Sequence, residues 1–566
     1  MRTILTTLHS KFIHPSLALP CLVAYCDKEP GACGELFIRE FTVHEPRENI
    51  LAALLAEQPD VVAFSVYIWN RGETLALVDA LHVTVPHLRI ILGGPEVSYE
   101  QHNLWPHHPG ISAIIRGEGE QPLQELLHCW QHREPAAQIP RTTLRTADGL
   151  DVGPDAPPME LDQLPSPFRL GVMDCTRGFV YYETSRGCPY RCAFCMSALD
   201  PRVRSFSLER IETDLLWLME REIPKIKLVD RTFNYDRDRA RHLFRFILQH
   251  NRCSHFHFEI GAHLLDAKTL QLLEQVPEDS FQFEIGVQSV LPETLDLIER
   301  SAPLELLEAN VRHLLQRTRI HLHLDLIAGL PGEDFAQVLS GIDRVMALRP
   351  HHLQIEPLKL LPGAPLRQRA QQLGLRFDPA PPYTILSTPD LAFNDLERLR
   401  SISRLLDMTW NSGRAHTLLT ALAQKCGGFA AALNELEKFW REEGLFRFPL
   451  AQKEMFEQLV RFVGQAFAGE IGACLGDLAA RDFALSERLT PSNLPACFHS
   501  ELDSAQQQRV QDFIKDKLEQ IRGQGIKLQY LAVRFPALDA EVAQQVRVFC
   551  YLTGSGRRMQ VEEYCL

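Results

Sequence analysis

Two stretches of the chain alternate short β-rich runs with helical segments, and this alternation limits the possible folds more than any other feature. In residues 1–135 the predicted strands are almost continuously apolar, as in parallel strands buried on both faces. Joined by helices, they predict an α/β domain with a doubly wound, five-stranded parallel sheet. The predicted strands are 4–8, 35–43, 61–69, 88–93 and 111–116, with helices that include 16–26, 47–57 and 73–82.

The alternation resumes over residues 173–370 with a longer period. Six β/α units of this kind suit a partial (β/α)6 barrel that is open on one side. Its chemistry is expected at the carboxyl ends of the strands, where the loops of such barrels converge. The predicted strands are 180–185, 225–229, 255–260, 281–287, 321–327 and 353–358, and the helices between them include 208–222, 237–250 and 335–348.

Two more regions complete the predicted organisation. Residues 136–172 are rich in Pro, Asp and Thr and are predicted to be an extended linker. Residues 371–566 are predicted to be a separate, mainly α domain with a few strands, and they carry no recognisable catalytic motif. Its predicted elements include helices 396–408, 429–443 and 454–467 and strands 526–533 and 546–552.

Composition excludes several classes of protein. The 566 residues carry a net charge of −13, which does not favour long-range capture of nucleic acid, although a local basic patch stays possible. No apolar run approaches the ~20 residues of a membrane span, and no signal-peptide pattern opens the chain. We therefore expect a cytoplasmic protein without a membrane partner.

Fourteen cysteines in a chain of this length do not form a disulfide framework. Most are scattered and are expected to be buried small hydrophobic side chains in a reducing compartment. These scattered cysteines are Cys21, Cys26, Cys33, Cys129, Cys175, Cys253, Cys426, Cys474, Cys497, Cys550 and Cys565.

The other three cysteines share one short loop. Cys188, Cys192 and Cys195 follow a predicted strand with C-x3-C-x2-C spacing, so the loop can direct three thiolates at one centre. Thiolates are the protein ligands of iron–sulfur clusters and of zinc. A structural zinc site needs a fourth ligand, usually from a second close pair, and no such pair lies nearby. Three cysteines can instead bind three irons of a four-iron cluster and leave the fourth iron open.

This segment resembles the motif of the radical S-adenosylmethionine (SAM) superfamily, including the aromatic Phe194 before the last cysteine. The resemblance implies that Cys188, Cys192 and Cys195 bind a [4Fe–4S] cluster whose open iron chelates SAM. One-electron reduction would then give a 5′-deoxyadenosyl radical that abstracts hydrogen. A barrel mouth can shield such a radical from water and side reactions.

Later strand ends carry supporting motifs. The sequences that end the fourth and fifth predicted strands resemble those of the superfamily, the latter with the Gly-Leu-Pro-Gly turn at 329–332. Residues 259–264 and 357–363, which end the third and sixth strands, add weaker signals. A polar residue at a strand end can equally be a cap or turn former. Where the superfamily usually has Gly-Gly-Glu, this chain has Asp230 and Arg231, which could instead form a structural ion pair. The candidate SAM-binding residues are Phe194, Glu259, Glu284, Gln288 and Ser289.

Three loops at strand ends distinguish the first domain, and no G-x-G-x-x-G motif favours dinucleotide binding. In order before the cysteines, and with the first loop at 6–14, they resemble the cobalamin-binding, Rossmann/flavodoxin-like domain found ahead of many radical SAM barrels. The implied cobalamin-binding residues are Ser65, Val66, Tyr67, Trp69, Gly93, Gly94, Pro95, Glu96, Gly117, Glu118, Gly119 and Glu120.

Some roles in this domain stay open. The D-x-H-x-x-G signature is absent, so the resemblance implies base-off binding without a histidine on cobalt. His9 and His14 are alternatives for the lower axial ligand, although a loop histidine more often only forms hydrogen bonds. Tyr67 and Trp69 can be core or rim aromatic residues rather than cofactor contacts.

The whole resemblance is to cobalamin-dependent radical SAM proteins with a C-terminal domain of unassigned function. It implies methylation of an unactivated carbon, or phosphorus, in which one SAM methylates the cobalamin and a second SAM supplies the radical. The alternatives are a cobalamin-assisted rearrangement or cyclisation without methyl transfer, and a non-catalytic cobalamin or iron–sulfur sensor. The expected partners are a small-molecule or macromolecular substrate and a reductant such as flavodoxin or ferredoxin.

Overall fold

The structure is a computed structural model that describes residues 1–490, 494–495, 498, 501–539, 545–554 and 559–566, without the side chain of His102. The chain divides into two compact units. The first contains Met1–Glu333 and Pro357–Ala392, and the second contains Asp334–Glu356 and Phe393–Leu566. No helix among the described residues combines the length and the apolar character that a membrane crossing requires.

The first unit opens with an α/β sheet in the strand order β2-β1-β3-β4-β5-β6-β7. Its strands are β1 (Arg2–His9), β2 (Glu35–Thr42), β3 (Val61–Ser65), β4 (Arg89–Gly93), β5 (Ile111–Ile115), β6 (Thr142–Thr146) and β7 (Gly149–Val152). Its helices are α1 (Ala18–Cys26), α2 (Arg47–Ala56), α3 (Arg71–Thr84), α4 (Pro95–Ser98), α5 (Leu104–His107) and α6 (Glu120–His132).

Strands β1 to β5 are parallel, as predicted. All five residues of β3 are buried, and one apolar cluster lies on each face of the sheet. The predicted linker at 136–172 is not wholly extended, because β6 and β7 form a hairpin that adds to the sheet antiparallel to β5. The predicted strand 61–69 ends at Ser65, where the Asn70 side chain accepts a hydrogen bond from Tyr67 N at 2.8 Å and shapes the following loop.

The second alternating stretch forms the barrel elements. Its strands are β8 (Val180–Tyr182), β9 (Ser185–Arg186), β10 (Arg204–Ser205), β11 (Lys225–Leu228), β12 (His255–Glu259), β13 (Phe281–Gln288), β14 (His321–Ala328), β15 (His352–Pro357), β16 (Arg376–Phe377) and β17 (Ile385–Ser387). Its helices are α7 (Leu208–Glu220), α8 (Arg237–His250), α9 (Ala267–Leu273), α10 (Pro292–Leu297), α11 (Leu304–Arg317), α12 (Phe335–Met346) and α13 (Pro365–Gln368).

Strands β8, β11, β12, β13 and β14 pair in parallel in that order. Residues of β13 alternate between buried and part-exposed, so its aromatic side chains face the helices and its polar ones the opposite face. Phe281 and Phe283 pack with Phe244 of α8 in this aromatic layer. The predicted strand 180–185 is interrupted, since β9 leaves the sheet and pairs with β10.

The second unit is mainly helical, as predicted. Its remaining elements are α14 (Phe393–Leu406), a π-helical turn (Asp407–Asn411), α15 (His416–Cys426), α16 (Phe429–Glu442), α17 (Gln452–Ala466), α18 (Gly469–Ser486), α19 (Ser504–Gln520), β18 (Ile526–Val533), β19 (Arg547–Gly554) and β20 (Gln560–Cys565). The three strands form an antiparallel sheet, and α19 packs on it through Val510 and Ile514. The sequence did not predict β20.

The prediction that the scattered cysteines are buried holds only in part. Cys253 and Cys565 are exposed, which contradicts it, and Cys497 lies outside the described residues. The domain bounds 1–135, 136–172, 173–370 and 371–566 stay predictions.

Candidate active site

The cysteine loop begins directly after β9 and is held by backbone hydrogen bonds. Cys188 N donates to Asp200 O at 3.0 Å, and Cys195 N donates to Cys192 O at 3.0 Å. Gly187 has a φ of +90°, and a Cβ there would lie 2.4 Å from Arg202 O. Only glycine fits this position without a shift of the backbone. Cys188 and Cys192 are buried, and Cys195 is part-exposed.

Each of the three sulfurs has a polar neighbour. The Cys195 Sγ accepts from Ser197 N at 3.4 Å, the Cys192 Sγ accepts from Arg300 Nη1 at 3.6 Å, and the Cys188 Sγ lies 3.7 Å from Thr232 Oγ1. Burial raises the pKa of Cys192, with smaller contributions from the charges of Cys195 and Cys188, while Arg300 opposes the rise. Hydrogen bonds to sulfur are one means by which proteins set cluster potentials. The thiolate set therefore fits an iron–sulfur cluster.

Among the residues that the structure describes, no group of three or more His, Cys, Asp or Glu side chains has the geometry of a site for one metal ion. In a four-iron cluster each cysteine binds a different iron.

Asp230 supports the base of this loop. Its fully buried carboxylate accepts from Thr184 N at 3.0 Å and from the hydroxyl groups of Thr184 and Ser185. Burial raises the pKa of Asp230, although these hydrogen bonds oppose the rise. The alternative of an Asp230–Arg231 ion pair is not what the structure shows, because Arg231 lines a cavity instead.

Glu259 and Glu284 lie side by side, since β12 and β13 pair these residues in register. Glu284 Oε2 is 3.0 Å from His257 Nε2, and this contact, with Lys227 nearby, lowers the pKa of Glu284 to about 2. Burial and the neighbouring Glu284 charge raise the pKa of Glu259 to about 7. Two adjacent carboxyl groups thus differ in protonation near neutral pH.

The other candidate residues at the barrel mouth have separate surroundings. Gln288 ends β13 with a φ of +71°, at a shift in the β13–β14 register. Ser289 is buried and donates to the carboxylate of buried Glu333, whose pKa burial raises to about 7. Phe194 is half-buried in the cysteine loop. The structure therefore ties Ser289 to the turn at 329–333.

A cavity of about 710 Å³ lies where the first α/β sheet meets the barrel. Its floor is apolar and includes Leu5, Ala63 and Ile91 from the sheet and Leu19 from α1. Of the predicted cobalamin-binding residues, those that line it are Ser65, Tyr67, Trp69, Gly93, Gly94, Pro95, Gly117, Glu118, Gly119 and Glu120. The strand-end loops therefore converge on one site.

Val66 and Glu96 do not line this cavity. Val66 is fully buried in the core, and the Glu96 carboxylate accepts a hydrogen bond from Tyr383 at 2.7 Å. Gly94 between the loops has a φ of +102°, and a Cβ there would lie 2.6 Å from Val66 O. Glycine is thus required where the two loops touch.

Both loop histidines have hydrogen-bond partners. His9 Nε2 lies 3.0 Å from Glu40 Oε1, and His14 Nδ1 lies 2.9 Å from Tyr181 OH. Tyr67 and Trp69 stack with their ring centroids 4.6 Å apart, and Trp69 is 48% exposed. Both histidines thus form hydrogen bonds within the protein, as is usual for histidines in loops. The stacked rings of Tyr67 and Trp69 line the cavity.

An ion-pair network joins the third loop to the barrel. Arg186 pairs with Glu120 and with Glu183 at 2.7 Å each, and Arg204 pairs with Glu118. Burial opposes ionisation of Glu118, but Arg204 and Arg186 outweigh it and lower its pKa. Sequence reasoning missed Arg186 and Arg204, although Arg186 stands immediately before the Gly-Cys of the motif.

The barrel also supplies cavity residues that the sequence did not single out. These are Tyr181, Glu183, Arg186, Met196 and Val229; Arg231, which the sequence offered only as an ion-pair partner of Asp230, also lines the cavity. Met196 directly follows Cys195, so the cysteine loop reaches the same cavity as the first-domain loops. Position at a strand end was the available signal for Glu183 and Val229, and adjacency to the cysteine motif was the signal for Arg186 and Met196.

Comparisons with known families match three regions of the chain. The B12 binding domain matches residues 4–127, the Radical SAM superfamily matches residues 182–344, and a protein family of unknown function, DUF4080, matches residues 371–534.

Two curated relatives are methyltransferases. The cobalamin-dependent radical SAM methyltransferase TokK of Streptomyces tokunonensis is 29% identical over 363 residues, which cover 59% of this chain and 52% of that protein. The 2-(S-pantetheinyl)-carbapenam-3-carboxylate methyltransferase of Streptantibioticus cattleyicolor is 28% identical over 400 residues, covering 63% and 55%. The chain thus spans about half the length of these relatives.

A solved structure supports the fold. The cobalamin-dependent S-adenosylmethionine radical enzyme OxsB, with aqua-cobalamin and S-adenosylmethionine bound, superposes with a TM-score of 0.59 at 16% identity. The match covers 93% of this chain and 81% of OxsB.

The chain thus carries a region that matches the B12 binding domain, followed by a region that matches the Radical SAM superfamily. The region that follows belongs to a family without an assigned role. The predicted class, fold and cofactors are thereby confirmed: cobalamin, a [4Fe–4S] cluster and SAM.

Proposed function

We propose that this chain is a cobalamin-dependent radical SAM methyltransferase that methylates an unactivated carbon. The observation that carries the proposal is the shared cavity, which is lined by the three first-domain loops and by barrel residues up to Met196. A substrate at the barrel side of this cavity, near Met196, would lie between cobalamin bound by the loops and SAM at the cluster, as transfer between them requires. The two curated relatives that are methyltransferases favour the same reaction type.

When bound, SAM and the cluster supply a radical that abstracts hydrogen from carbon, and cobalamin supplies a methyl carrier. In the proposal Cys188, Cys192 and Cys195 bind the cluster. Arg300 and the Ser197 N–H donate to two of these sulfurs and stabilise the thiolate form.

The SAM-binding residues are proposed from their position at the ends of barrel strands. Glu284 is anionic near neutral pH and is suited to the cationic parts of SAM or substrate. Glu259, with its raised pKa, can donate or accept a proton at the same edge. Phe194, Gln288 and Ser289 complete the proposed set.

The first domain would bind cobalamin in the 710 Å³ cavity. The apolar floor between the sheet and α1 suits an aromatic nucleotide tail, and the loop glycines let backbone approach a broad ring. Because the D-x-H-x-x-G signature is absent, the proposal has no cobalt–histidine bond; one ring nitrogen each of His9 and His14 is hydrogen-bonded within the protein. Val66 and Glu96 act only from behind the loops.

The alternatives keep the cofactors but change their use. A rearrangement or cyclisation would use the radical without methyl transfer, and a sensor would use neither reaction. The proposed partners are a small-molecule or macromolecular substrate and a low-potential reductant such as flavodoxin or ferredoxin.

Product analysis separates these functions without a known substrate. The full chain, reconstituted anaerobically with cluster and cobalamin, is incubated with SAM and dithionite. A methyltransferase should form both S-adenosylhomocysteine, from methyl transfer to the cofactor, and 5′-deoxyadenosine. Deoxyadenosine alone would favour the rearrangement, and neither product would favour the sensor. The control omits cobalamin. It should abolish the formation of S-adenosylhomocysteine and leave the formation of 5′-deoxyadenosine unchanged.

A further inference from the structure

Residues 357–392 of the first unit pass over the loops of both cofactor sites, and nothing in the reaction so far uses them. We call this segment the strap. It is attached to the barrel where Leu358 N donates to Ala328 O at 2.9 Å, and its two halves are joined where Leu360 N donates to Tyr383 O at 2.9 Å. Its second half belongs to the region matched by the family of unknown function, which begins at residue 371.

The first half of the strap contacts the cysteine loop. Leu366 N donates to Ala193 O at 2.8 Å, between Cys192 and Cys195. Ala193 N in turn donates to Ile298 O at 2.8 Å, so the loop backbone is held from two sides. The strap is therefore anchored beside the cluster ligands.

The same segment also contacts Tyr99 and Glu100, which follow the second cobalamin loop (residues 93–96) in the chain. Arg367 donates to both carboxylate oxygens of Glu100, at 2.8 and 2.7 Å. Gly363 lies against the Tyr99 ring, where an added Cβ would be 2.7 Å from a ring carbon. Tyr99 also lines the cavity, so its ring lies between the strap and the proposed cobalamin site.

A buried polar triad completes the contact. Tyr383 is 2% exposed, and its hydroxyl donates to Glu96 Oε2 at 2.7 Å and accepts from Arg71 Nη1 at 2.8 Å. Glu96 belongs to α4, directly after Gly94, and Arg71 opens α3 directly after the first cobalamin loop. The Tyr383 hydroxyl thus links the elements that follow two of the cavity loops.

From these contacts we propose that the strap positions the cobalamin loops relative to the cluster loop, with Tyr383 as a positioning residue for cobalamin. The inference rests on the proposed function, because it assumes that the cavity binds cobalamin. Glu96 has a buried carboxylate that depends on Tyr383 and Arg71, so losing the tyrosine hydroxyl leaves a charge underpaired at the back of the loop. The loop would relax, and its cavity face would no longer be held for the ligand.

The test measures aquocobalamin affinity by absorbance titration, with iron content, in the full cluster-loaded chain. Tyr383→Phe should weaken cobalamin binding about tenfold, because a hydrogen bond to a charged group is lost. Iron content should not change, while the melting temperature should fall slightly because a buried hydrogen bond is lost. The matched control is Tyr551→Phe, which alters another buried tyrosine, in the second unit, and should bind like the wild type.

Unchanged affinity in Tyr383→Phe, or an equal loss of iron and cobalamin, would overturn the inference. If that variant does not fold, the Glu100 carboxylate decides. Glu100→Gln and Glu100→Arg remove the pair with Arg367 and leave the Arg367 hydrogen bond to Leu360 O in place, so they should weaken cobalamin binding. Unchanged affinity in both variants overturns the inference. A wild-type chain that binds no cobalamin would instead remove the proposed function itself.

Discussion

Asp230 is a single buried carboxylate on which the approach to the cysteine loop depends. Asp230→Ala should lower the free energy of unfolding by about 3 kcal/mol, because it leaves the Thr184 and Ser185 donors unpaired. Asp230→Asn keeps one acceptor and should cost less. Urea denaturation measures both changes. The control is Asp238→Ala, whose side chain is 91% exposed, and equal effects of the two alanine variants would contradict this role.

Glu259 should give the apo chain a specific pH dependence. Its folded pKa of about 7 exceeds the ordinary value of 4.5, so the folded state holds a proton that the unfolded state has lost between these values. Stability from this group therefore falls as pH rises from 4.5 to 7. Glu259→Gln should remove that fall and be more stable than the wild type at pH 8.

Other groups titrate nearby, so the prediction concerns the difference between Glu259→Gln and wild type. Burial lowers the pKa of His263 to about 4, which makes stability rise with pH up to 6.5 and opposes Glu259. Melting temperatures of both proteins across pH 5 to 8 measure the difference. Parallel curves would show that Glu259 has an ordinary pKa.

At the scale of residues, sequence reasoning found the carboxylates at strand ends but not their partners. Glu259 and Glu284 were recognisable by position, whereas their different pKa values depend on His257 and burial. Glu96 was predicted to bind cobalamin because it belongs to a loop at a strand end. Its side chain instead contacts Tyr383, which is 287 residues later in the sequence. Which way a loop side chain turns depends on contacts that are distant in sequence.

At the scale of elements, alanine substitutions at two glycines should each impair only one of the two cofactor sites. Gly94→Ala would strain the loop beside Val66, and Gly187→Ala would strain the entry to the cysteine loop, because both have positive φ and no space for a Cβ. We expect Gly94→Ala to lower cobalamin affinity with iron retained, and Gly187→Ala to lower iron content with cobalamin binding retained.

Iron analysis and cobalamin titration of the same preparations check this crossed pattern. The control is Gly72→Ala in α3, where an added Cβ meets nothing within 4 Å and alanine favours the helix. If each glycine variant lost both cofactors equally, the loops would not be independent elements.

Strand prediction succeeded where strands are apolar runs between polar turns. The five parallel strands of the first sheet were found within a few residues, because burial on both faces leaves a clear pattern. The hairpin of β6 and β7 was missed, since an edge pair with exposed residues in a Pro-rich stretch has no such pattern. Likewise β20 alternates weakly and ends near the chain terminus.

At the scale of the molecule, sequence order indicated two cofactor domains but not how their loops meet. The shared cavity depends on pairs such as Arg186 with Glu120, which join residues far apart in the chain. Charge patterning could not reveal these pairs, because an isolated Arg or Glu is usually a solvated surface residue. Residues 357–363 of the strap were recognised as the end of the sixth predicted strand, but their contacts with the first domain were not, because those contacts join residues far apart in the chain.

The central claim is that Cys188, Cys192 and Cys195 together hold a cluster that cleaves SAM. The most direct measurement is iron content and 5′-deoxyadenosine formation in anaerobically reconstituted full chain. Wild type and the exposed-cysteine control Cys253→Ala should hold about four irons and form the product. Alanine at any of the three loop cysteines should abolish product formation and reduce iron. Bound zinc in place of iron, or full activity in the loop variants, would contradict the account.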